Sequence, residues 1–317
     1  MATTTNVTTT YAGQDSGKWV AAALLSAPTL SKELVTIMLN VKYKAVLHKL
    51  ATDGLLKDAT CDFTATSTVT LTERIITPKE LQVNVKLCKS DFVDTWEAIE
   101  MGYSAHDVLP KSFADYLLAY MAEKVAAANE VAIWNGATGT SGEFDGFMTL
   151  LTVDAALPAA NEVAGTTLSA SNIAVELGKV ADAIPAAVYG KEDLRIYVSQ
   201  NAYKLYVRSL GGFGASGLGG NGYDAKGNNQ AFGDLMFDGI PLAVAEGLTA
   251  NQMLAAEKSN LFFGTGLLSD QNEIRVIDQA DIDGSKNVNI IMRMTAGVQY
   301  ANVEDIVTYG ITNSAND

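Results

Sequence analysis

Three glycines, Gly212, Gly214 and Gly217, fit the spacing G-x-G-x-x-G inside the stretch LGGFGASGLGGNGYDAKGNNQAFGD, residues 210–234. Such a spacing holds a pyrophosphate when a strand ends in the tight turn and the next helix starts with its amides aimed at the phosphates. Here the order is different. QNAYKLYVRSL, read as a helix, precedes the glycines, and more Gly and Asn follow them. No Lys-Ser or Lys-Thr pair stands where a P-loop needs one. The context argues for a long loop free of side-chain bulk, which lets several copies crowd together. A nucleotide site at 212–217 is kept as the competing reading.

Other candidate chemistry is sparse. QADIDGSKNVNI resembles a calcium loop through Asp281, Asp283 and Gly284, but Gln279 and Ile290 occupy the first and twelfth positions, where carboxylates belong. A β-turn at Asp283 and Gly284 is the simpler expectation. Gly214, Ala215, Ser216, Gly217 and Leu218 do not form a G-x-S-x-G nucleophile elbow. The two histidines, His48 and His106, lack the i,i+4 partner of a zinc helix. Glu97 and Glu100 share a helical face that solvent explains as well as acid–base chemistry does. Cys61 and Cys88 have no metal-binding spacing; two reduced thiols are the first expectation and a disulfide between them the second. No catalytic residue, cofactor or metal is therefore assigned.

The 317 residues suffice for one elaborate domain or about two ordinary ones. They are 48% hydrophobic and 18% charged, and the mean hydropathy is +0.12, so part of the apolar excess is expected at subunit interfaces. The net charge of −14 argues against a surface that grips nucleic acid, because that grip runs on Lys and Arg neutralising phosphates. A container that only confines nucleic acid meets no such demand. No run of about 18 apolar residues could span a bilayer, and MATTTNVTTTYAGQDSGKW has neither the basic nor the apolar region of a signal peptide.

The elements that must carry these residues are α+β, without regular βαβ alternation. STVTLTERIITPKELQVNVKLCKSDF alternates with period two, at Val69 and Leu71 and again at Leu81, Val83, Val85 and Leu87. Thr77, Pro78 and Lys79 interrupt it, as a turn or bulge would. Val69 and Leu71 have no obvious local partner, so that face is expected against another subunit. PKSFADYLLAYMAEKVAAANEVAIWNG predicts the longest helix, opened by Ser112 with Asp115 and stopped by Gly136. Its apolar positions are Phe113, Leu117, Tyr120, Ala127, Val131 and Trp134. Further helices are expected near 171–183 and 200–210, a strand at 193–199, and mostly strands after the glycine stretch. The first 30 residues, rich in Thr, Ala and Ser, are expected to be disordered alone. They carry the apolar cluster Trp19, Val20, Ala21, Leu24 and Leu25, which suits a neighbour's groove.

Three segments carry a family likeness: YAGQDSGKWVAAALLSA, TLTERIITPKELQVNVKLCKSDFVDTWEAIEMGYSAHDVLP and FADYLLAYMAEKVAAANEVAIWNGATGTSGEFDGF. Through them the chain resembles the major capsid proteins of tailed bacteriophages, with the Hong Kong 97 type of fold, and among these the crAss-like phages. The likeness runs through most of residues 11–150 and is fainter beyond. It implies an N-terminal arm at 1–50 and an extended E-loop hairpin within 51–80, lying over a neighbour. It implies a peripheral domain at 81–190 around a spine helix at 112–135, completed by 271–317, and an axial domain at 191–270. The glycine-rich loop at 211–233 would then sit near the hexamer and pentamer axes, where glycine accepts either sign of φ. The interface residues implied or read are Trp19, Val20, Leu24, Leu25, Val69, Leu71, Gly212, Gly214 and Gly217.

The function implied is a structural subunit, not an enzyme, that assembles with itself into an icosahedral head in the virion. That head would be built in the host cytoplasm and enclose double-stranded DNA without sequence-specific binding. Portal, decoration and scaffolding proteins are the further partners implied, with no membrane. No residue match supports the Lys–Asn cross-link of some members. The chain starts at Met1, so the expectation is either no cleaved scaffolding segment or a form that precedes cleavage. An encapsulin-like protein compartment is the alternative within the same fold.

Overall fold

The longest strand, Asn287–Tyr300, buries Val288, Ile290, Met292, Met294, Ala296, Val298 and Tyr300. Its alternate residues Asn287, Asn289, Ile291 and Arg293 face the other way, which is the period of a sheet with one covered face. The computed structural model describes residues 28–41, 43–52, 56–59, 61, 68–88, 111–210, 235–266 and 274–314. Along them run α1 (Pro28–Ser31), β1 (Thr36–Met38), β2 (Ala45–Thr52), β3 (Val69–Ile76), β4 (Lys79–Cys88) and α2 (Lys111–Asn135). Then come α3 (Phe147–Val153), β5 (Glu162–Val163), α4 (Ile173–Asp182), β6 (Leu194–Val198) and α5 (Gln200–Ser209). The last group is β7 (Met236–Phe237), β8 (Ile240–Val244), β9 (Met253–Glu257), β10 (Leu261–Thr265), β11 (Ile274–Asp278), α6 (Ala280–Asp283), the long strand as β12, and β13 (Val307–Tyr309).

Strand β12 organises a five-stranded sheet. Antiparallel β4 pairs along it from Lys79 opposite Ala296 to Cys88 opposite Asn287. Strands β11 and β10 pair with it antiparallel, and β1 adds parallel to β10. The covered face meets the C-terminal third of α2, where Ala132, Ile133 and Trp134 join one core with Leu81, Met292, Met294, Phe147 and Leu151. Helix α2 has 25 residues, close to the expected span, and already includes Lys111. Ser112 therefore lies inside the first turn and is not the cap. Val131, expected on the apolar face, is exposed, and buried Asn129 and Glu130 take core positions instead.

The six-stranded sheet runs β5-β13-β9-β6-β8-β7 and is covered on both faces. Tyr197, Ala243, Leu254 and Ala256 point into the core shared with α2. Ile196, Val198, Leu242, Met253 and Ala255 point into a second core with Ile173, Leu177 and Val180 of α4 and with Ala202 and Tyr206 of α5. A strand buried on both faces loses its alternation. That is why MLAAE, the central β9, gives no strand signal in the sequence. Helix α4 and strand β13 pack into this second core and not around α2, although the sequence likeness implied a peripheral domain containing both.

At Gln279 to Gly284 a single helical turn, α6, ends on left-handed Gly284 (φ 70°), where a β-turn was expected. Among the described residues no group of three His, Cys, Asp or Glu side chains is placed to hold a metal ion, and no helix is long and apolar enough to cross a membrane.

Candidate assembly surface

Thr77 and Pro78 divide the alternating run between two sheets. Downstream, β4 joins β12; upstream, β3 pairs antiparallel with β2 as an isolated hairpin, Thr52 opposite Val69 through Ala45 opposite Ile76. The crossing at the hairpin root is close. A Cβ on Gly264 would meet Ile76 Cγ2 at 2.9 Å, and one on its cross-strand partner Gly297 would meet Pro78 Cα at 3.0 Å. The glycine pair makes the room in which Ile76 is fully buried.

Away from that root one face of the hairpin is turned away from its own chain. Residues directly opposite in an antiparallel pair share a face, so Val46, His48, Leu50, Thr52, Val69, Leu71, Glu73 and Ile75 form one surface. Its five apolar side chains, Val46, Leu50, Val69, Leu71 and Ile75, are each between 40% and 66% exposed. Side chains of this size turned to solvent on both strands of one hairpin make a contiguous exposed apolar surface. Val69 and Leu71 are exposed on this face, opposite Thr52 and Leu50. The strand that pairs with them, AVLHKLAT, was not read as a strand, because His48 and Lys49 break its apolar pattern.

The opposite face of the hairpin carries Leu47, Lys49, Arg74 and Ile76 and meets the body. Arg74 Nη2 lies 2.7 Å from Asp154 Oδ2 just after α3, and its guanidinium stacks 4.6 Å over the Tyr300 ring at the end of β12. The Tyr300 hydroxyl donates to the same carboxylate oxygen at 2.6 Å. Partial burial opposes the charge on Asp154, but Tyr300, the Ala156 amide and Arg74 outweigh it and hold the carboxyl below its ordinary value. Burial and the bond to that carboxylate push the Tyr300 phenol up. A second contact lies further along the same face. Lys49 Nζ is 3.0 Å from Glu304 Oε2 and donates to Asn302 Oδ1 at 2.7 Å, while Asn302 donates in turn to Asp305. Gln299 Nε2 donates to the Ile75 carbonyl at 3.3 Å. Asp154 and Tyr300 are 146 residues apart, so no local sequence pattern could have joined them.

The remaining candidate residues, Trp19, Val20, Leu24, Leu25, Gly212, Gly214 and Gly217, lie outside the described residues. The flanks of the glycine loop are described. Helix α5 enters it and strand β7 leaves it, and the two are held together by Tyr206, which donates to the Met236 carbonyl at 3.2 Å and meets the Phe237 ring edge-on at 5.9 Å. A dinucleotide site needs the reverse order, with a strand before and a helix after.

No protein-family model and no curated protein matches the chain. Solved structures do match it over nearly the whole length. The capsid of the native GTA particle is 16% identical, with a TM-score of 0.61 and 95% of each chain covered. A structure from Mycobacterium phage Cain is 18% identical, with a TM-score of 0.55 and 96% of this chain and 95% of that one covered. The capsid of the cyanophage P-SCSP1u is 14% identical, with a TM-score of 0.55 and 98% and 96% covered. At such identities the likeness is one of fold. The chain has the α+β fold of phage capsid proteins, the Hong Kong 97 type.

Proposed function

We propose that the chain is the major capsid protein of a tailed bacteriophage of the crAss-like group. It is a structural subunit that assembles with its own copies into the hexamers and pentamers of an icosahedral head around double-stranded DNA. The observation that carries this reading is the hairpin, which projects an apolar face from a fold whose solved examples include phage and GTA capsids. Half-exposed aliphatic side chains of this kind contribute ~1 kcal/mol each when covered, so one hairpin offers about 5 kcal/mol of gross burial before association entropy is subtracted. That is too little for a tight pair of subunits and enough for a shell, where the same contact recurs in every copy.

In this reading the arm is the segment before Pro28, shorter than the 1–50 expected because Ala45–Thr52 is one strand of the hairpin, and the β2–β3 hairpin is the E-loop lying over a neighbour. The five-stranded sheet with α2 is the peripheral domain. The six-stranded sheet with α4 and α5 is the axial domain, and its loop at 211–233 converges with its copies near the symmetry axes. The net charge of −14 suits a wall that confines DNA without gripping it. Portal, decoration and scaffolding proteins are the partners such a head would take. The chain is then a virion component assembled in the host cytoplasm, and not an enzyme.

Negative-stain electron microscopy of the expressed protein tests this. Closed isometric particles or rings of five and six are expected. Shells that co-purify with a protein cargo would support the encapsulin-like alternative. A monomer that ATP or NAD stabilises against heat would overturn the capsid reading.

A further inference from the structure

We propose that Arg74, Asp154 and Tyr300, with Lys49 and Glu304 beside them, form a polar latch that sets the pitch of the hairpin relative to the body of the subunit. The inference deepens the assembly role proposed above, but its main readout does not depend on that role.

The hairpin root is a close apolar crossing in which Ile76 packs against Gly264, and its described contacts carry no directional bond from a side chain of the hairpin. A two-stranded hairpin has no stability of its own and takes its attitude from whatever it packs against. On the face turned to the body, Leu47 and Ile76 are buried at the root. Level with Leu47, its cross-strand partner Arg74 meets Asp154 and Tyr300; further along, Lys49 meets Glu304 and Asn302; at the root Gln299 donates to the Ile75 carbonyl. An apolar root with two anchor side chains is a pivot, because apolar contact is non-directional. Directional bonds decide where a pivoting element stops.

The two polar contacts are not equivalent. At the first, both partners are mostly shielded, with Arg74 25% and Asp154 14% exposed, and one carboxylate oxygen receives both the guanidinium and the Tyr300 hydroxyl. Stacking of Arg74 on the Tyr300 ring fixes the plane of the fork. The groups come from three places: the hairpin, the end of α3 and the end of β12. They can meet only at one hairpin angle. At the second, Glu304 is 63% exposed, so solvent competes for Lys49 and the bond is the weaker one. Asp154 and Tyr300 thus serve as positioning residues for a surface they do not belong to, the apolar face on the far side of the hairpin.

The test is a distance distribution. Nitroxide labels go on Thr70→Cys, exposed on the hairpin, and Ala170→Cys, exposed on the body, in a full-length chain whose Cys61 and Cys88 are replaced by Ser. Labelled chain is diluted in excess unlabelled chain, so that only pairs within one subunit are read. The parent should give one narrow distribution. Asp154→Asn should broaden it about twofold or shift its mean, as expected of an element released at a hinge. Tyr300→Phe should do so more weakly, and Arg74→Lys, which keeps the charge but not the fork, should broaden it less than Arg74→Gln. Should Asp154→Asn fail to fold, Arg74→Gln opens the same contact from the hairpin side. An unchanged distribution in both Asp154→Asn and Arg74→Gln overturns the latch. Particle formation is scored on the same samples. A parent that makes no particles counts against the capsid reading alone, because the distances still decide the latch.

Discussion

Glu130 sits in the C-terminal third of α2 with no exposed surface, and its described donors are neutral: the Thr29 amide at 3.2 Å, the Thr29 hydroxyl at 2.6 Å, Trp134 and the Gly247 amide. Burial outweighs those bonds and raises its pKa above the ordinary carboxyl value. A carboxyl whose folded pKa is raised contributes stability that is fully present below the unfolded value and is lost as pH rises through the folded one. The melting temperature of the parent should therefore fall between pH 5 and pH 8 by more than that of Glu130→Gln, which has no such proton to lose. Equal slopes in a calorimetric pH series would refute the assignment. The packing around this residue is equally tight. A Cβ on Gly247 would stand 2.1 Å from the Glu130 carbonyl oxygen, which is backbone in the middle of a helix and cannot yield cheaply. Gly247→Ala should cost about 3 kcal/mol in denaturant unfolding, at the upper end of overpacking penalties. Trp134 was legible in the sequence as a core residue because its size and spacing agree. Glu130 was not, because a carboxylate within a helix reads as a solvated face until the Thr29 of a distant segment is seen to meet it.

The elements divide by the same logic. Helix α4 and strand β12 were legible because each has one covered face, which the sequence writes as a period. Strand β9 was not, since burial on both faces erases the period. The hairpin was half legible: β3 shows its alternation, whereas β2 hides it behind His48 and Lys49, the latter turned to the body for its ion pair with Glu304. This face can be tested without touching the core. Leu71→Asp places a charge in the middle of the apolar surface, opposite Leu50, on a side chain that is already mostly exposed. Circular dichroism and the melting temperature should stay within about 0.5 kcal/mol of the parent, as for surface changes generally. Particles should be absent or sharply reduced by sedimentation. Normal particles from Leu71→Asp would mean that this face is not an interface. The glycine loop between α5 and β7 is tested by replacing Gly212, Gly214 and Gly217 together with Ala. The folded subunit should persist and closure of rings should suffer. Binding of ATP or NAD that disappears in this variant would instead restore the nucleotide reading.

For the whole molecule the question is what joins one copy to the next. The two sheets share the core around Trp134 and Tyr197, whose rings lie 5.1 Å apart. The first residues described by the structure, from Pro28 onward, are tied to the body. Thr29 is fully buried, donates to Glu130 and accepts from Trp134 Nε1 at 2.8 Å, and Leu34, whose carbonyl accepts from the Tyr197 hydroxyl at 2.7 Å, is buried as well. Everything N-terminal to Pro28 therefore starts from a fixed point on the body. On the assembly reading proposed above, the apolar cluster at Trp19, Val20, Leu24 and Leu25 is the part of that segment that would meet an apolar surface on a neighbouring copy. Deleting residues 1–27, and keeping Thr29 with its bonds, should leave circular dichroism and the melting temperature nearly unchanged. It should stop assembly at monomers or loose rings, because even a modest tie, once removed from every copy, is multiplied over the whole shell. If the truncated chain closes into particles as stable to denaturant as the parent's, the arm is no tie between subunits. If instead its melting temperature falls steeply while it stays monomeric, the arm belongs to its own subunit's core.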